Sequence, residues 1–204
     1  MPIVTLPGGE LRDEIRQPLY DTVDLAAGDA LAGIRRFFSS VTTSTNQPKS
    51  LAMTNMKQPG SLETAVSFRC QGMAFDAMNT TPANASLLSV IIQKSSLSLN
   101  VGVKNYWQGP ARFAAGRYLQ HASNGTNAVL ALGTLFQQFG WPAIQPIVFQ
   151  GKHVIDINPL QNFQVVWEIN SQDLTATEAA LTVGVGTDLP IVSSLKGLLR
   201  RPVQ

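Results

Sequence analysis

The run Ser95-Ser-Leu-Ser-Leu-Asn-Val-Gly-Val-Lys104 constrains the fold more than any other stretch of this chain. Leu97, Leu99, Val101 and Val103 fall on one side of an extended backbone, and Ser96, Ser98, Asn100, Gly102 and Lys104 fall on the other. Successive side chains of a strand point to opposite faces, so the pattern predicts a half-buried β-strand. At roughly 3.3 Å per residue it runs about 30 Å, long for a globular strand. The aromatic pair Tyr106-Trp107 follows and breaks on Gly109-Pro110, a turn signal that places the pair at the strand's exit.

The same period of two recurs along the chain. Pro18 to Leu25 and Leu31 to Phe38 read as two strands that turn at Gly28-Asp29 into a hairpin. Glu63 to Phe75 reads as a central strand apolar on both faces toward its end. Asn162 to Asn170 puts Phe163, Val165, Trp167 and Ile169 inward, and Ala179 to Gly186 repeats the pattern with Leu181, Val183 and Val185. Shorter extended pieces are expected at Ile147 to Phe149 and His153 to Ile157. Ser86 to Lys94 fits either a helix or a strand; its Leu87, Leu88, Ile91 and Ile92 spacing and a capping residue at Asn84 or Ser86 favour the helix. Asn127 to Phe139 is an amphipathic helix stopped by Gly140-Trp141-Pro142.

About seven or eight strands without alternating helices predict an all-β fold, an antiparallel β-sandwich or jelly-roll barrel with one or two short inserted helices. Residues 1–17 read as an N-terminal arm and 18–204 as a single jelly-roll domain, a length that suits one domain with a sizeable core. Pro2, Pro7, Gly8 and Gly9 argue against regular structure in the arm, which a terminal segment keeps only when a partner ties it down. The polar stretch from Ser39 to Gly60 is a long loop, expected to bury Leu51, Met53 and Met56 on a neighbour or on its own barrel.

Reaction chemistry finds little purchase in this sequence. Cys70 stands alone, which rules out an intrachain disulfide, and its strand context predicts a buried, inert thiol. His121 and His153 belong to no metal-ligand spacing, so neither metal nor cofactor is expected. Val183-Gly-Val-Gly-Thr-Asp188 mimics part of a dinucleotide fingerprint but lacks the third glycine and a following helix. Asp21 with Asp24, and Asp173 with Glu178, are conceivable acid–base pairs that nothing marks as buried. These readings together predict a protein that is not an enzyme and has no small-molecule substrate. No stretch has the layout of a signal peptide or the length of a membrane span, which leads us to expect synthesis in a host cytoplasm.

Surface features offer more. Only 14 % of residues are charged, against roughly 25 % in soluble proteins generally, which suits a molecule that covers much of itself with neighbours. Arg35-Arg36, Arg112 with Arg117, and Arg200-Arg201 are basic pairs that could meet a genome or an internal membrane, weakly, or else form salt bridges. Tyr106, Trp107 and Trp141 could stack on bases or sugars, or could anchor a subunit contact.

Several short segments in order, Leu19-Tyr-Asp-Thr-Val23, Phe37-Phe38, Thr54-Asn-Met-Lys-Gln-Pro-Gly-Ser-Leu62, Tyr106-Trp-Gln-Gly-Pro110 and the tail Gly197-Leu-Leu-Arg-Arg-Pro-Val-Gln204, carry a resemblance. The chain resembles jelly-roll capsid proteins of tailless, icosahedral bacteriophages. That resemblance implies a structural virion protein that self-assembles into the capsid shell, with copies of itself in a trimer or pseudo-hexameric capsomer and other virion proteins as partners. Interface candidates under it are Ile3, Leu6 and Ile15 of the arm, the aromatics Tyr106, Trp107 and Trp141, and Arg200 and Arg201 of the tail. The alternatives are a carbohydrate- or receptor-binding β-sandwich of spike or penton type, and, with few histidine ligands to support it, an enzyme of cupin-like barrel type.

Overall fold

The computed structural model describes residues 3–5, 11–77, 85–115, 147–181, 183 and 188–202. The strands in chain order are β1 (Ile3–Thr5), β2 (Leu11–Arg16), β3 (Leu19–Leu25), β4 (Gly33–Phe37), β5 (Ser67–Ala77), β6 (Ser95–Val101), β7 (Lys104–Pro110), β8 (Ile147–Val148), β9 (Ile155–Ile157), β10 (Phe163–Ile169) and β11 (Leu189–Pro202). Helix α1 (Ala85–Lys94) leads directly into β6, and the short α2 (Ala176–Ala179) follows β10. The expected helix at 127–139 lies outside the described residues.

Two antiparallel sheets result. In one, β11 lies between β3 and β5, and β5 pairs on its far side with β8 and β9; in the other the order is β4-β10-β6-β7. Taking β8 and β9 as one interrupted strand and setting the arm aside, the sandwich has eight strands among the described residues. The first, eighth, third and sixth form one sheet and the second, seventh, fourth and fifth the other. That order is a jelly roll: successive strands cross between the sheets except β6 and β7, which pair as a hairpin in one of them, as the all-β reading anticipated. It also corrects one expectation. Strands β3 and β4 are not a hairpin; they belong to opposite sheets, and the chain from 26 to 32 carries one over to the other.

The core is built from the inward positions of both sheets. Leu97, Leu99 and Val101 of β6 face it, as do Phe163, Val165, Trp167 and Ile169 of β10, and all are buried. Phe75 from one sheet meets Phe37 and Trp167 from the other, with ring centroids 6.1 and 5.8 Å away; Phe37 and Trp167 lie 6.3 Å apart. The Arg35 guanidinium lies over the Trp167 ring at 5.0 Å while donating to the carbonyls of Leu31 and Ala30. Such aromatic pairs contribute about 0.5–1.5 kcal/mol each beyond area burial, so this cluster fixes how the two sheets sit on each other.

The long strand expected over 95–104 is in fact a strand and a turn. The backbone leaves β6 at Val101, turns at Gly102, whose φ of +59° lies in the left-handed region, and returns as β7. Val103 therefore stands fully exposed at the tip instead of joining Leu97, Leu99 and Val101 inside. Of the expected strand over 179–186, Ala179 ends α2, which Thr175 and Glu178 open with a capping box, Leu181 and Val183 lie outside any strand, and 182 and 184–186 lie outside the described residues.

The longest strand, β11, organises the first sheet. Its 14 residues give Leu189–Leu195 to β3 and Leu198–Pro202 to β2 along the same edge. The register against β5 slips between Lys196 and Gly197, where Gln71 is the extra residue. At the same level β5 changes its outer partner from β9 to β8. The bulge thus marks a line across the sheet at which both edges change hands, as bulges do when they bend a strand. Gly197 is required there: a Cβ would lie 2.1 Å from the Arg69 carbonyl oxygen.

Polar groups bind the 39–60 loop to the barrel. Lys49 Nζ donates to Asp21 Oδ1 at 2.8 Å and to the Thr22 carbonyl at 2.7 Å, and Asp21 Oδ2 accepts from the Phe38 amide at 2.6 Å. Thr54 bridges to Asp21, and Asn55 binds both the amide and the carbonyl of Tyr20. The loop thus lines the edge of β3 that β11 leaves open, a device that keeps an edge strand from pairing elsewhere. Met56 is buried in this arrangement while Leu51 stays exposed.

Candidate assembly interface

The arm is built onto its own barrel. β1 and β2 pair antiparallel, Ile3 opposite Asp13 and Thr5 opposite Leu11, and β2 pairs with the second half of β11, Arg16 opposite Leu198 and Arg12 opposite Pro202. Residues 3–5 and 11–16 are therefore regular without a neighbouring subunit, contrary to expectation. β11 outruns β3, and its remaining hydrogen-bonding groups need a partner, which β2 supplies. Side-chain chemistry agrees with the register. Arg200 Nε donates to Glu14 Oε2 at 2.8 Å, and Arg201 Nε lies 3.9 Å from Asp13 Oδ2. Arg12 Nη1 donates to the Ala65 carbonyl.

Of the expected interface residues, Ile15, Arg200 and Arg201 are thus engaged within the chain. Ile15 shares the inward face with Leu199 and Phe68 and is half-buried. Ile3 is placed by its backbone in β1, which leaves that strand's outer side without a strand neighbour among the described residues. Leu6 and Trp141 lie outside the described residues.

Tyr106 and Trp107 sit inside β7, an outer strand of its sheet, and not at a strand exit. Trp107 is opposite Leu99, so its indole turns inward against the core, above Gly109, where a Cβ would come within 2.9 Å of the ring. The register slips by one at this point, and Tyr106 is the unpaired residue of the bulge, 45 % exposed. Beside it a groove of about 530 Å³ opens between β7 and β8–β9, lined in part by Ile147, Val148, Phe149 and Ile155. A second apolar feature caps one end of the sandwich. Val103 and Leu160 project there from neighbouring turns tied by a 2.7 Å bond from the Gly102 amide to the Asn162 carbonyl.

Residues weighed for catalysis have other roles. Asp21 is the buried partner of Lys49. Asp24 is held above the usual carboxylate range, first by burial and then by the proximity of Asp188, with Lys49 opposing. Hydrogen bonds from the Thr175 backbone and hydroxyl hold Glu178 below its ordinary value. Cys70 is buried, and burial pushes its thiol up to about 12, only partly countered by a hydrogen bond from the Gly72 backbone. His153 is exposed in a single 3-10 turn, and His121 lies outside the described residues. Among the described residues no group of three histidines, cysteines or carboxylates comes together to hold a metal ion.

The buried Lys49–Asp21 pair is the feature sequence reasoning missed. The two residues stand 28 positions apart, and nothing local marks either as buried. Compared with protein-family models, with curated proteins and with solved structures, the chain matches none.

Proposed function

We propose that this chain is a structural virion protein, a subunit that self-assembles into capsomers of the icosahedral shell of a tailless phage. The observation that carries the proposal is the jelly-roll strand order around an interior filled by the chain's own side chains. Jelly rolls serve as capsid subunits, lectins and cupins. A cupin-type site needs ligands projecting into the barrel, and the inward positions here are Phe37, Phe75, Leu97, Val165 and Trp167. Trp107 packs against the core and gives only part of its surface to the groove beside Tyr106, which favours a packing role over a sugar-stacking platform. What remains to interact is the outside: the outer side of β1, the Tyr106 groove and the Val103–Leu160 tip. Apolar residues gathered at such positions fit subunit contacts better than solvent. Under this reading the partners are copies of the chain, as a trimer or pseudo-hexamer, together with other virion proteins.

Sedimentation velocity on the purified full chain tests the proposal. Trimers or larger capsomers that grow with concentration are expected. A monomer at every concentration, with no particles on co-expression with the other virion proteins, overturns it.

A further inference from the structure

The outward face of the first sheet carries a charge arrangement that the shell reading does not use. Leu198 of β11 is opposite Arg16 of β2 on one side and Arg69 of β5 on the other. Directly opposed residues share a face, and so do residues two apart along a strand. Lys196 and Arg200 therefore stand above and below Leu198 on that same face, and four cations surround one half-buried leucine. Neighbouring strands are about 4.8 Å apart and alternate residues roughly 7 Å apart, so diagonal neighbours in the cross start about 8 Å apart, Arg16 and Arg69 about 10 Å, and Lys196 and Arg200 about 14 Å.

Two carboxylates share this part of the face. Glu14 binds Arg200, and Asp156 is opposite Arg69 in the register. Arg12 also belongs to the face but is buried and bonded to the Ala65 carbonyl. Arg16, Arg69 and Lys196 have no ion pair among the described residues, and Arg69 Nε is buried without a hydrogen-bond partner. The four cations and two carboxylates leave a net +2, as much as the whole 204-residue chain carries. Like charges on adjoining strand positions repel, and a bound polyanion would relieve that repulsion.

We propose that this cross of Lys196, Arg16, Arg69 and Arg200 is a binding surface for the phosphate backbone of nucleic acid. Three of the four are arginines, which grip phosphate in a fixed fork geometry. The aromatic on this face, Tyr20 opposite Ser194, is half-buried with its hydroxyl tied to the Leu51 carbonyl, and Val148 is the one large hydrophobic residue exposed there among the described residues. Recognition is therefore of phosphates, without base stacking and without sequence preference. A membrane-binding face would instead offer a set of apolar anchors to insert among lipid tails. The inference goes beyond the shell reading and does not depend on it.

The test uses the full chain and a fluorescent 20-base-pair DNA duplex, followed by anisotropy across a salt series. Four phosphate contacts predict a log K against log salt slope of about −3 to −4, or roughly 100-fold weaker binding between about 50 and 200 mM salt. The exposed pair Arg16→Gln with Lys196→Gln should lower the slope's magnitude by about two. Lys104→Gln, at an exposed cation on the other sheet, should leave it unchanged. Circular dichroism of each variant confirms that it is folded. Absence of salt-dependent binding, or an equal loss with Lys104→Gln, overturns the proposal. So does tighter binding to phosphatidylserine vesicles than to DNA that is lost in the double variant.

Discussion

Replacing Lys49 by methionine should damage this protein more than any other change of one surface-loop residue. The ammonium sits 2.8 Å from Asp21 Oδ1, and the two side chains are 7 % and 0 % exposed. Methionine keeps the length of the side chain but leaves a carboxylate buried with only the Phe38 amide to bind it. Breaking a buried ion pair from one side typically costs about 3–5 kcal/mol. For a domain above 150 residues that lowers Tm by roughly 6–20 °C. Asp21→Asn should cost a similar amount, because it strands the ammonium, although an amide oxygen can still accept from Phe38. The double variant buries no charge at all and should be more stable than the sum of the single costs by at least about 2 kcal/mol. Urea unfolding followed by tryptophan fluorescence measures all four corners of the cycle. Single variants costing under about 1 kcal/mol each, or costs that add, would refute the argument that this pair ties the 39–60 loop to the β3 edge.

Other expectations follow from single sites. Gly197→Ala places a methyl against the Arg69 carbonyl at the bulge and should cost about 3 kcal/mol or more, read by the same urea curves. Trp107→Ala should lower stability, since the indole packs on the core, while leaving the sedimentation coefficient of the folded protein unchanged. Asp24→Asn should stabilise the protein slightly at pH 7. The folded state holds the Asp24 proton more tightly than the unfolded chain, so ionisation weakens folding as pH rises past the ordinary carboxylate value. Removing the charge returns that loss, and the wild-type and variant Tm values should converge near pH 3.

How far the sequence foretold this structure depended on what occupied the inward positions. β6 and β10 were legible because every inward residue but Ser95 is apolar and the outward ones are mostly polar. β11 was not, because Ser193 and Gly197 occupy inward positions, the second forced by close approach to Arg69, and they break the apolar alternation. Val103 extended the pattern of β6 by one step past the real turn, although Gly102 offered the signal. The Thr175–Glu178 capping box was likewise present in the sequence but masked by the Leu181–Val183 alternation. The β3–β4 crossing between sheets had no local signature, because hairpins and crossings begin from the same polar turn. Assigning Arg200 to Glu14 and Arg201 to Asp13 required the register of two strands from opposite ends of the chain. The cationic cross depends on three strands at once and could not be seen before the topology was known.

Cryo-electron microscopy of particles formed when the full chain is expressed tests the proposed shell role most directly. The account predicts closed shells whose subunit density fits the two-sheet sandwich, with the arm hairpin on the second half of β11 of the same subunit. Particles whose shell contains no such sandwich, or preparations holding this protein only as a dispersed monomer, would contradict it.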